Sequence, residues 1–413
     1  MRDLLLGRAP EDHDIATDAL PERVLALFPG SRPVGAKFGV VVVPGGGSFV
    51  EVATFRRDGV YSDGRHPESV AFSGSPAEDA RRRDFTINGL LLVPETDAVI
   101  DFVGGRRDLE RGLVRAIGDP YRRFEEDHLR MLRAVRFAAR FDFEIEAATF
   151  AAIRDLRTQI HRTAAERIRD EIVMILTEGG ARRGFELLNA TGLLQEILPE
   201  VAELRGVQQP PEYHPEGDVW THTMMMLEGM ENPTPELALG VLLHDIGKPS
   251  TFRVEGRIRF DGHVEAGIRI ASGILARLRF SGAEAAQVEA LIANHMRFIH
   301  IGRMRESTLK RFFRADRFEE HLELHRLDCL SSNRNLAGYD FARERFAAMP
   351  PDVRHPPRLL TGAALIAAGY RPGPEFSAML EAAETAQLDG AIHSAEEALV
   401  LVQSRFGPAP SAG

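Results

Sequence analysis

One change of pattern, at Asp119-Pro120, limits how this 413-residue chain can fold. Before this point, short apolar runs separated by turns predict two β-hairpins, formed by residues 38–43 with 49–55 and by 90–93 with 98–102. Beyond it, helical periodicity rich in Ala, Leu, Arg and Glu continues to Phe406 with very little strand pattern. We therefore predict an α+β chain with a small β-rich head followed by helices.

Two irregular segments divide the helical part. Residues 206–215 hold three prolines and no apolar periodicity, and residues 349–357 form a second irregular stretch. A single hydrophobic core stops growing at roughly 250 to 300 residues, so a chain of this length is expected to form several domains. We predict a head at 1–118, a helical neck at 119–205, a helical domain at 216–345 and a helical tail at 356–413.

Composition narrows the classes of function. The chain has no run of about 18 apolar residues, and its one cysteine, Cys329, excludes an intramolecular disulfide framework. We expect a cytoplasmic protein without a membrane partner. The net charge of −10 argues against bulk attraction to nucleic acid, yet residues 105–140 hold ten Arg against six Asp or Glu. This count predicts a local basic surface, although an arginine-rich composition overall would also produce it.

Three acidic residues of the predicted head have spacings suited to metal binding. Asp12 and Asp14 lie two residues apart, so on a strand both would point to one face and share divalent ions. Glu51 lies in the predicted strand 49–55, on the side of Phe49 and Ala53, where an acidic residue is unusual unless it serves a site. Such carboxylates suit two-metal phosphoryl transfer, whereas the Asp-x-Asp pair alone is also typical of solvated loops.

Clustered arginines occupy residues 81–83. Guanidinium groups such as those of Arg82 and Arg83 suit a triphosphate, and the nearby Asp84 and Asn88 could hydrogen-bond a ribose hydroxyl. A solvated run of charges is the alternative interpretation.

A predicted helix from about residue 126 carries arginines at three- and four-residue spacing, namely Arg130, Arg133, Arg136 and Arg140. This spacing predicts one basic stripe along the helix. Asp127 and Arg130 are neighbours at i, i+3, and their acceptors and donors resemble a base edge, so they could select a nucleobase without a template. An ordinary surface ion pair is the alternative.

Further along, imidazole and carboxylate side chains recur in an order that suits a transition metal or magnesium. Any one of the 14 histidines is more often structural than a metal ligand, whereas the ordered set is a candidate metal site. The set comprises His222, His244, Asp245, His263, His295 and Asp328.

Four successive segments resemble the motifs of class II CCA-adding enzymes, in the family of tRNA nucleotidyltransferases and bacterial poly(A) polymerases. They are RAPEDHDIATD at 8–18, RRDFTIN at 82–88, DFVGGRRDLERGLVRAIG at 101–118 and RFEEDHLRMLRAVRFAARF at 123–141. The resemblance implies a polymerase-β-like head with a small mixed sheet, in which Asp12 and Asp14 bind Mg²⁺ and Glu51 is a third carboxylate. It also implies that Asp84 contacts ribose and that Asp127 and Arg130 read CTP or ATP.

Three departures from the family pattern stand out. His128 and Gly89 take the places of a proline and an alanine. Family members also have a strand ending in Gly-Gly before the segment that corresponds to residues 1–3, and we expect its absence to weaken nucleotide binding and to expose a sheet edge. A wrongly assigned start codon or a shortened, impaired head would each explain this difference.

The segment HDIGK at 244–248 resembles the signature of helical HD-domain phosphohydrolases. The resemblance implies that His222, His244, Asp245 and Asp328 bind a divalent metal such as Mg²⁺, Mn²⁺, Ni²⁺ or Fe²⁺. It further implies His263 and His295 as the extra ligands of HD domains that hold two metals, and a phosphatase or phosphodiesterase activity on RNA 3′ ends.

The resemblance implies the addition of CCA, or part of it, to tRNA 3′ ends from CTP and ATP, and the carboxylates of the head suit two-metal phosphoryl transfer. The predicted nucleotide-binding residues are Arg82, Arg83, Asp84, Asn88, Asp127, Arg130, Arg133 and Arg136. Three alternatives stay open: an A-adding, CC-adding or poly(A)-adding enzyme, an HD phosphohydrolase with an impaired head, and a non-catalytic RNA-binding protein.

Overall fold

The computed structural model describes residues 1–10, 13–34, 38–45, 48–59 and 69–409. The chain forms two compact units, the first comprising Met1–Gln209 and Gly217–Ala285, and the second Pro210–Glu216 and Ala286–Gly413. The combination of a small mixed sheet with many helices confirms the predicted α+β class. The domain boundaries given above stay predictions.

The head begins with helix α1 (Arg2–Leu5) and a four-stranded mixed sheet. Its elements are β1 (Ile15–Thr17), α2 (Pro21–Leu27), β2 (Arg32–Pro33), β3 (Val40–Gly45) and β4 (Ser48–Thr54). The strand order is β1-β4-β3-β2, with β1 parallel to β4 and the other pairs antiparallel. Val41, Val43 and Val52 pack with Val24 of α2 in a small core on one face of the sheet. The antiparallel pair β3 and β4 confirms the first predicted hairpin.

Short ribbons and helices complete the head, namely β5 (Arg56–Asp58), β6 (Val70–Phe72), α3 (Pro76–Arg81), a 3₁₀ turn (Thr86–Asn88), β7 (Leu90–Val93), β8 (Ala98–Asp101), α4 (Gly105–Glu110) and β9 (Leu113–Val114). The antiparallel pair β7 and β8 confirms the second predicted hairpin. The Asp101 carboxylate accepts hydrogen bonds from the backbone N–H groups of residues 103–106 at 2.8–3.0 Å, which fixes the turn into α4. Burial raises the pKa of Asp101, but these bonds outweigh it and lower the pKa.

The first unit continues as helices, as the periodicity predicts. They are α5 (Pro120–Glu126), α6 (Arg130–Phe141), α7 (Ala147–Leu156), α8 (Ala165–Thr177), α9 (Ala181–Thr191), α10 (Leu193–Ile197), α11 (Pro199–Ala202), α12 (Val219–Glu228), α13 (Pro235–Leu243), α14 (Lys248–Thr251) and α15 (His263–Arg277). Helix α6 contacts α8 and α9 and buries Met131, Leu132 and Val135 completely. Between the helices lie a 3₁₀ turn (Arg157–Arg162) and the strands β10 (Glu144–Ile145), β11 (Arg253–Glu255) and β12 (Arg257–Arg259).

The second unit is also helical. Helix α16 (Gly282–Asn294) leads into it and is followed by a 3₁₀ segment (His295–Arg303), α17 (Glu306–Phe312), α18 (Phe318–Ser331), α19 (Ala337–Ala347), α20 (Pro351–Arg354), α21 (Gly362–Ala367), α22 (Glu375–Leu388) and α23 (Ala395–Phe406). Phe298, Phe312 and Phe318 form an aromatic core, and Leu365 and Tyr370 belong to a separate core of the tail. Across the described parts of both units, every helix is too short or too polar to cross a bilayer.

Candidate active site

Asp14 and Glu51 are adjacent in the sheet of the head. Ile15 of β1 pairs with Val52 of the parallel strand β4, so the register places the two preceding residues beside each other. Both residues are exposed to solvent. Adjacent carboxylates supply the oxygen ligands that Mg²⁺ prefers, so these two residues fit the predicted ion. The other predicted ligand, Asp12, lies outside the described residues.

The face of β4 that carries Glu51 is open to solvent. Phe49, on the same face, is 70% exposed, whereas the buried residues Val52 and Thr54 point to the opposite face. The expectation that an acid is unusual on this face is therefore wrong, because the face is not part of the core. Glu51 is a candidate metal ligand because it lies beside Asp14.

A buried carboxylate holds the two arginines predicted to bind a triphosphate. Asp79 of α3 is 2% exposed. Its Oδ1 accepts a hydrogen bond from Arg82 Nε at 2.9 Å, and its Oδ2 accepts one from Arg83 Nη2 at 3.2 Å. Arg83 Nη1 also donates to the backbone carbonyl of Asn88 at 3.0 Å. Both guanidinium groups are partly exposed and are held in fixed directions, as binding of a polyanion requires.

Asp84 and Asn88 form part of a dense hydrogen-bond network. Asp84 Oδ1 accepts from Asn88 Nδ2 at 2.9 Å, and its Oδ2 lies 2.7 Å from Arg133 Nη2. Arg2 Nη1 donates to Asn88 Oδ1 at 2.6 Å. Burial raises the pKa of Asp84, but Arg133 and the hydrogen bonds outweigh it, so the pKa lies below its usual range. Asp84 is therefore a charged and fixed acceptor.

Asp127 and Arg130, which are predicted to recognise the nucleobase, each bind a different side chain. The Asp127 carboxylate accepts two hydrogen bonds from Arg167 of α8, at 3.1 and 2.8 Å. Arg130 Nη1 donates to Glu126 Oε2 at 2.7 Å. The two residues still share one turn, because the Arg130 backbone N–H donates to the Asp127 carbonyl at 3.1 Å. Each side chain thus has a defined direction that depends on a partner missed by sequence reasoning.

The arginines of α6 form a partly buried ion-pair network. Arg136 is buried, and its Nε donates to Glu171 Oε2 at 2.8 Å, while Arg140 Nη1 donates to Glu178 Oε2 at 3.0 Å. Arg133 Nη1 lies 3.6 Å from Glu171 Oε1. The predicted basic stripe is therefore partly covered, because α8 packs on α6 and supplies the buried carboxylate of Glu171 to it.

A second cluster in the first unit brings together three of the predicted metal ligands. His222 on α12, with His244 and Asp245 at the end of α13, place their ligand atoms within 4.8 Å of one another, and all three residues are buried. His244 Nε2 lies 3.0 Å from Asp245 Oδ2. Its Nδ1 donates to the Val241 carbonyl at 2.9 Å, which places the lone pair on Nε2, as a metal ligand requires. The donor set fits a divalent transition metal.

His263 and Lys248 complete the surroundings of Asp245. His263 Nε2 lies 3.9 Å from Asp245 Oδ1, and its Nδ1 donates to the Phe260 carbonyl at 2.8 Å. Lys248 Nζ lies 2.7 Å from Asp245 Oδ2 and donates to Gln209 Oε1 at 2.6 Å. Burial lowers the pKa of His263, which favours the neutral ring that a metal binds.

The last two predicted ligands belong to the second unit. His295 is buried, and its Nδ1 donates to the Ile292 carbonyl at 2.7 Å, the same arrangement as in His244. Asp328 lies on α18, next to Cys329. Burial raises the pKa of the Cys329 thiol to about 12, so the thiol is protonated at neutral pH and suits packing rather than nucleophilic attack.

Residues that orient the site and that sequence reasoning missed include Asp79, Arg167 and Gln209. Asp79 stands three and four residues before Arg82 and Arg83, and this helical spacing could have identified it. Arg167 and Gln209 meet their partners 40 and 39 residues away along the chain. No local pattern signals such contacts, because they depend on how helices pack.

Three family models match successive parts of the chain. The poly A polymerase head domain matches residues 1–115, the probable RNA and SrmB-binding site of polymerase A matches 142–204, and the HD domain matches 218–320. The first match covers the adjacent carboxylates and the arginines of the head. The third covers the cluster around Asp245.

Curated relatives match about half of the chain. A CCA-adding enzyme of Geobacillus thermodenitrificans is 44% identical over 203 residues, which are 49% of this chain and 50% of the relative. A CCA-adding enzyme of Lactobacillus helveticus is 38% identical over 233 residues, which are 55% of this chain and 58% of the relative. The chain thus spans about half the length of the curated relatives it matches.

A solved structure extends the likeness along the chain. The CCA-adding enzyme of Bacillus stearothermophilus in complex with CTP is 28% identical, with a TM-score of 0.74, and the match covers 98% of this chain and 91% of that one. The order of the matched domains agrees with this fold and with the names of the curated relatives. Successive parts of the chain are therefore similar to the poly A polymerase head, the RNA-binding site of polymerase A and the HD domain, and most of its length is similar in fold to a CCA-adding enzyme.

Proposed function

We propose that this chain adds nucleotides to the 3′ end of tRNA and builds CCA, or part of it, from CTP and ATP. The observation that carries the proposal is the adjacent pair Asp14 and Glu51 on parallel strands of the head, because phosphoryl transfer by divalent ions needs such a pair. The similar enzyme solved with CTP supports the nucleotide, and the names of the curated relatives support the product. A cytoplasmic location belongs to the same proposal.

In this reaction, the 3′ hydroxyl oxygen of the RNA bonds to the α-phosphorus of CTP or ATP, and the bond from that phosphorus to the pyrophosphate oxygen breaks. Asp14 and Glu51, with Asp12, would hold divalent ions such as Mg²⁺, which supply charge to stabilise the entering and leaving oxygens. Arg82 and Arg83, aimed by Asp79, would bind the triphosphate. Pyrophosphate is the leaving group.

The ribose and the base would be recognised by fixed groups of the head and the neck. Asp84, charged and tied to Arg133, would accept a hydrogen bond from a ribose hydroxyl beside Asn88. Asp127 and Arg130 would present an acceptor and donors to the edge of cytosine or adenine. Because Arg167 binds both oxygens of Asp127, we propose that it sets the direction of that acceptor.

Replacing Arg167 by alanine is expected to lower kcat/KM for CTP and for ATP about tenfold or more, because a charge-assisted bidentate contact that fixes Asp127 is lost. Incorporation of GTP and UTP should rise relative to CTP. The measurement is single-nucleotide incorporation into tRNA. Arg169→Ala on the same helix is the matched control, since Arg169 pairs with the exposed Asp170. Equal nucleotide selectivity in the two variants would contradict a role for Arg167 in base recognition.

The product of the reaction tests the proposal directly. The chain is incubated with Mg²⁺ and labelled CTP and ATP on three RNAs: tRNA lacking CCA, tRNA lacking only the final A, and an unrelated RNA. We expect CCA on the first, A on the second and no addition to the third. Addition of A only, of CC only, or of a long A tail to any RNA would identify the related alternatives. No incorporation on any substrate would reject the proposal.

A second candidate activity rests on the cluster of His222, His244 and Asp245. A divalent metal such as Mg²⁺, Mn²⁺, Ni²⁺ or Fe²⁺ held there lowers the pKa of a bound water, which is the chemistry of phosphoester hydrolysis. The Nδ1–H of His244 is held by the Val241 carbonyl, and Asp245 is buried. Both observations favour metal binding over a purely structural role for the histidine cluster. Hydrolysis of a small chromogenic phosphodiester in the presence of Mn²⁺ measures it, and no hydrolysis would reject it.

A further inference from the structure

An isolated two-stranded ribbon, formed by β11 and β12, presents a basic face. Arg253 pairs with Arg259, Val254 with Ile258 and Glu255 with Arg257 in the antiparallel register, and Gly256 forms the turn with a φ of +70°. Because side chains alternate along a strand, the four charged residues share one face of the ribbon. That face carries three arginines against one glutamate.

Among the residues that the structure describes, no ion pair holds the arginines of this face. Arg253, Arg257 and Arg259 are exposed, and across the described residues none of the three forms an ion pair or a side-chain hydrogen bond. Arg253 and Arg259 stand directly opposite each other, and like charges in that position destabilise a ribbon. The chain has a net charge of −10, so this local excess of arginine is unusual. It favours the binding of an anion that is not part of the chain.

The base of the ribbon is joined to the cluster around Asp245. The rings of Phe252 and Phe260, which flank the ribbon, lie 5.9 Å apart, and Lys248 Nζ lies 5.3 Å from the centre of the Phe260 ring. The same Lys248 Nζ lies 2.7 Å from Asp245, and the Phe260 carbonyl accepts the Nδ1–H of His263. The base of the ribbon therefore lies close to the predicted metal ligands.

We propose that the ribbon 253–259 binds the sugar-phosphate backbone of single-stranded RNA and directs its terminal phosphoester to the cluster of His222, His244 and Asp245. Three guanidinium groups on the first and third residue pairs of the ribbon exceed what one mononucleotide phosphate needs, which favours a polynucleotide. Phe252 is 40% exposed at the base of the ribbon and offers a surface on which a base stacks. The second half of this proposal rests on the hydrolytic activity proposed above, whereas RNA binding by the ribbon does not.

The test compares two triple variants of the full chain, both with the same change in net charge. One is Arg253→Gln/Arg257→Gln/Arg259→Gln, which removes a like-charge pair and so keeps the ribbon folded. The control is Arg23→Gln/Arg303→Gln/Arg371→Gln, at dispersed exposed positions. A fluorescein-labelled single-stranded RNA hexamer is titrated against metal-depleted protein at several salt concentrations, and fluorescence anisotropy gives Kd.

The ribbon variant is expected to bind the hexamer about tenfold or more weakly than the unaltered chain. The slope of log K against log salt should decrease by about 2, because each lost phosphate contact on a single strand contributes roughly 0.7. The control variant should retain both values. An unchanged Kd and slope in the ribbon variant would overturn the proposal, and so would equal competition by polyglutamate, since the site would then bind any acidic polymer.

Measurements of hydrolysis distinguish the delivery of RNA by the ribbon from the metal-dependent activity on which that delivery rests. With Mn²⁺, the ribbon variant should hydrolyse a small phosphodiester at the unaltered rate but show a raised KM for a phosphoester at the end of an RNA hexamer. A raised KM for both substrates would contradict delivery of RNA by the ribbon. Absence of hydrolysis in the unaltered chain would reject the metal-dependent activity and the delivery step, whereas the anisotropy result would still decide RNA binding.

Discussion

An Asp14→Ala variant is expected to incorporate CTP and ATP into tRNA at least about 10³-fold more slowly than the unaltered chain. Charge stabilisation by a bound ion is worth several kcal/mol in the transition state, and about 4 kcal/mol corresponds to 10³ in rate. Asp14 is adjacent to Glu51 in register and exposed, so its loss removes a ligand without opening a cavity in the core. The measurement is the single-turnover rate at saturating nucleotide and Mg²⁺.

The matched control is Glu95→Ala, another exposed acid of the head, in the turn between β7 and β8. We expect this variant to keep the unaltered rate. Thermal unfolding should be nearly the same for both variants, since exposed substitutions usually change stability by no more than about 0.5 kcal/mol. If the Asp14 variant retained full incorporation, the carboxylate pair could not be the ion-binding centre, and the proposed mechanism would be wrong.

Local patterns in the sequence were sufficient to predict the two hairpins of the head and the long helical part. The pairs of β3 with β4 and of β7 with β8 follow from apolar runs joined by turn residues, and both signals lie within about 20 residues. The adjacent pair His244-Asp245, together with His222, also needed only the sequence order to be proposed. The hairpins and the His244-Asp245 pair could be predicted because each depends on residues that are close together in the sequence.

Features that depend on helix packing could not be predicted. The contact of Asp84 with Arg133 joins residues 49 positions apart, and the contact of Asp127 with Arg167 joins residues 40 positions apart. Helical spacing places Arg136 and Arg140 on a common side of α6, but spacing does not reveal whether that side faces water or α8. Burial of Arg136 is therefore a result that only the tertiary structure supplies.

Replacing Arg136 by methionine is expected to destabilise the first unit by about 3–5 kcal/mol, because it leaves Glu171 as a buried carboxylate without its closest cation. Glu171 is 2% exposed, and Arg136 Nε is 2.8 Å from its Oε2. Arg133, at 3.6 Å from Oε1, compensates only in part, since it is already held by Asp84. The measurement is the denaturant-induced unfolding transition of the first unit.

The loss of stability in the Arg136→Met variant should depend on pH. Burial raises the pKa of Glu171 above its usual range despite the two arginines beside it. A carboxyl with a higher pKa in the folded state binds more protons there than in the unfolded state, so stability falls as pH rises from the unfolded to the folded pKa. Removal of Arg136 raises the pKa of Glu171 in the folded state further, so the pH range over which stability falls becomes wider. The variant should therefore be more destabilised at about pH 8 than at about pH 5, and the opposite trend would contradict an unpaired Glu171 as the cause.

The double variant Arg136→Met/Glu171→Leu distinguishes stability from positioning. Apolar residues of similar volume often replace a buried ion pair without loss, so most of the lost stability should return. Glu178 keeps Arg140 as a partner at 3.0 Å. Glu171 also contacts Arg133, which fixes Asp84, so the double variant should still add nucleotides more slowly than the unaltered chain. Recovery of both stability and activity would show that the buried charges do not position Asp84 for the nucleotide.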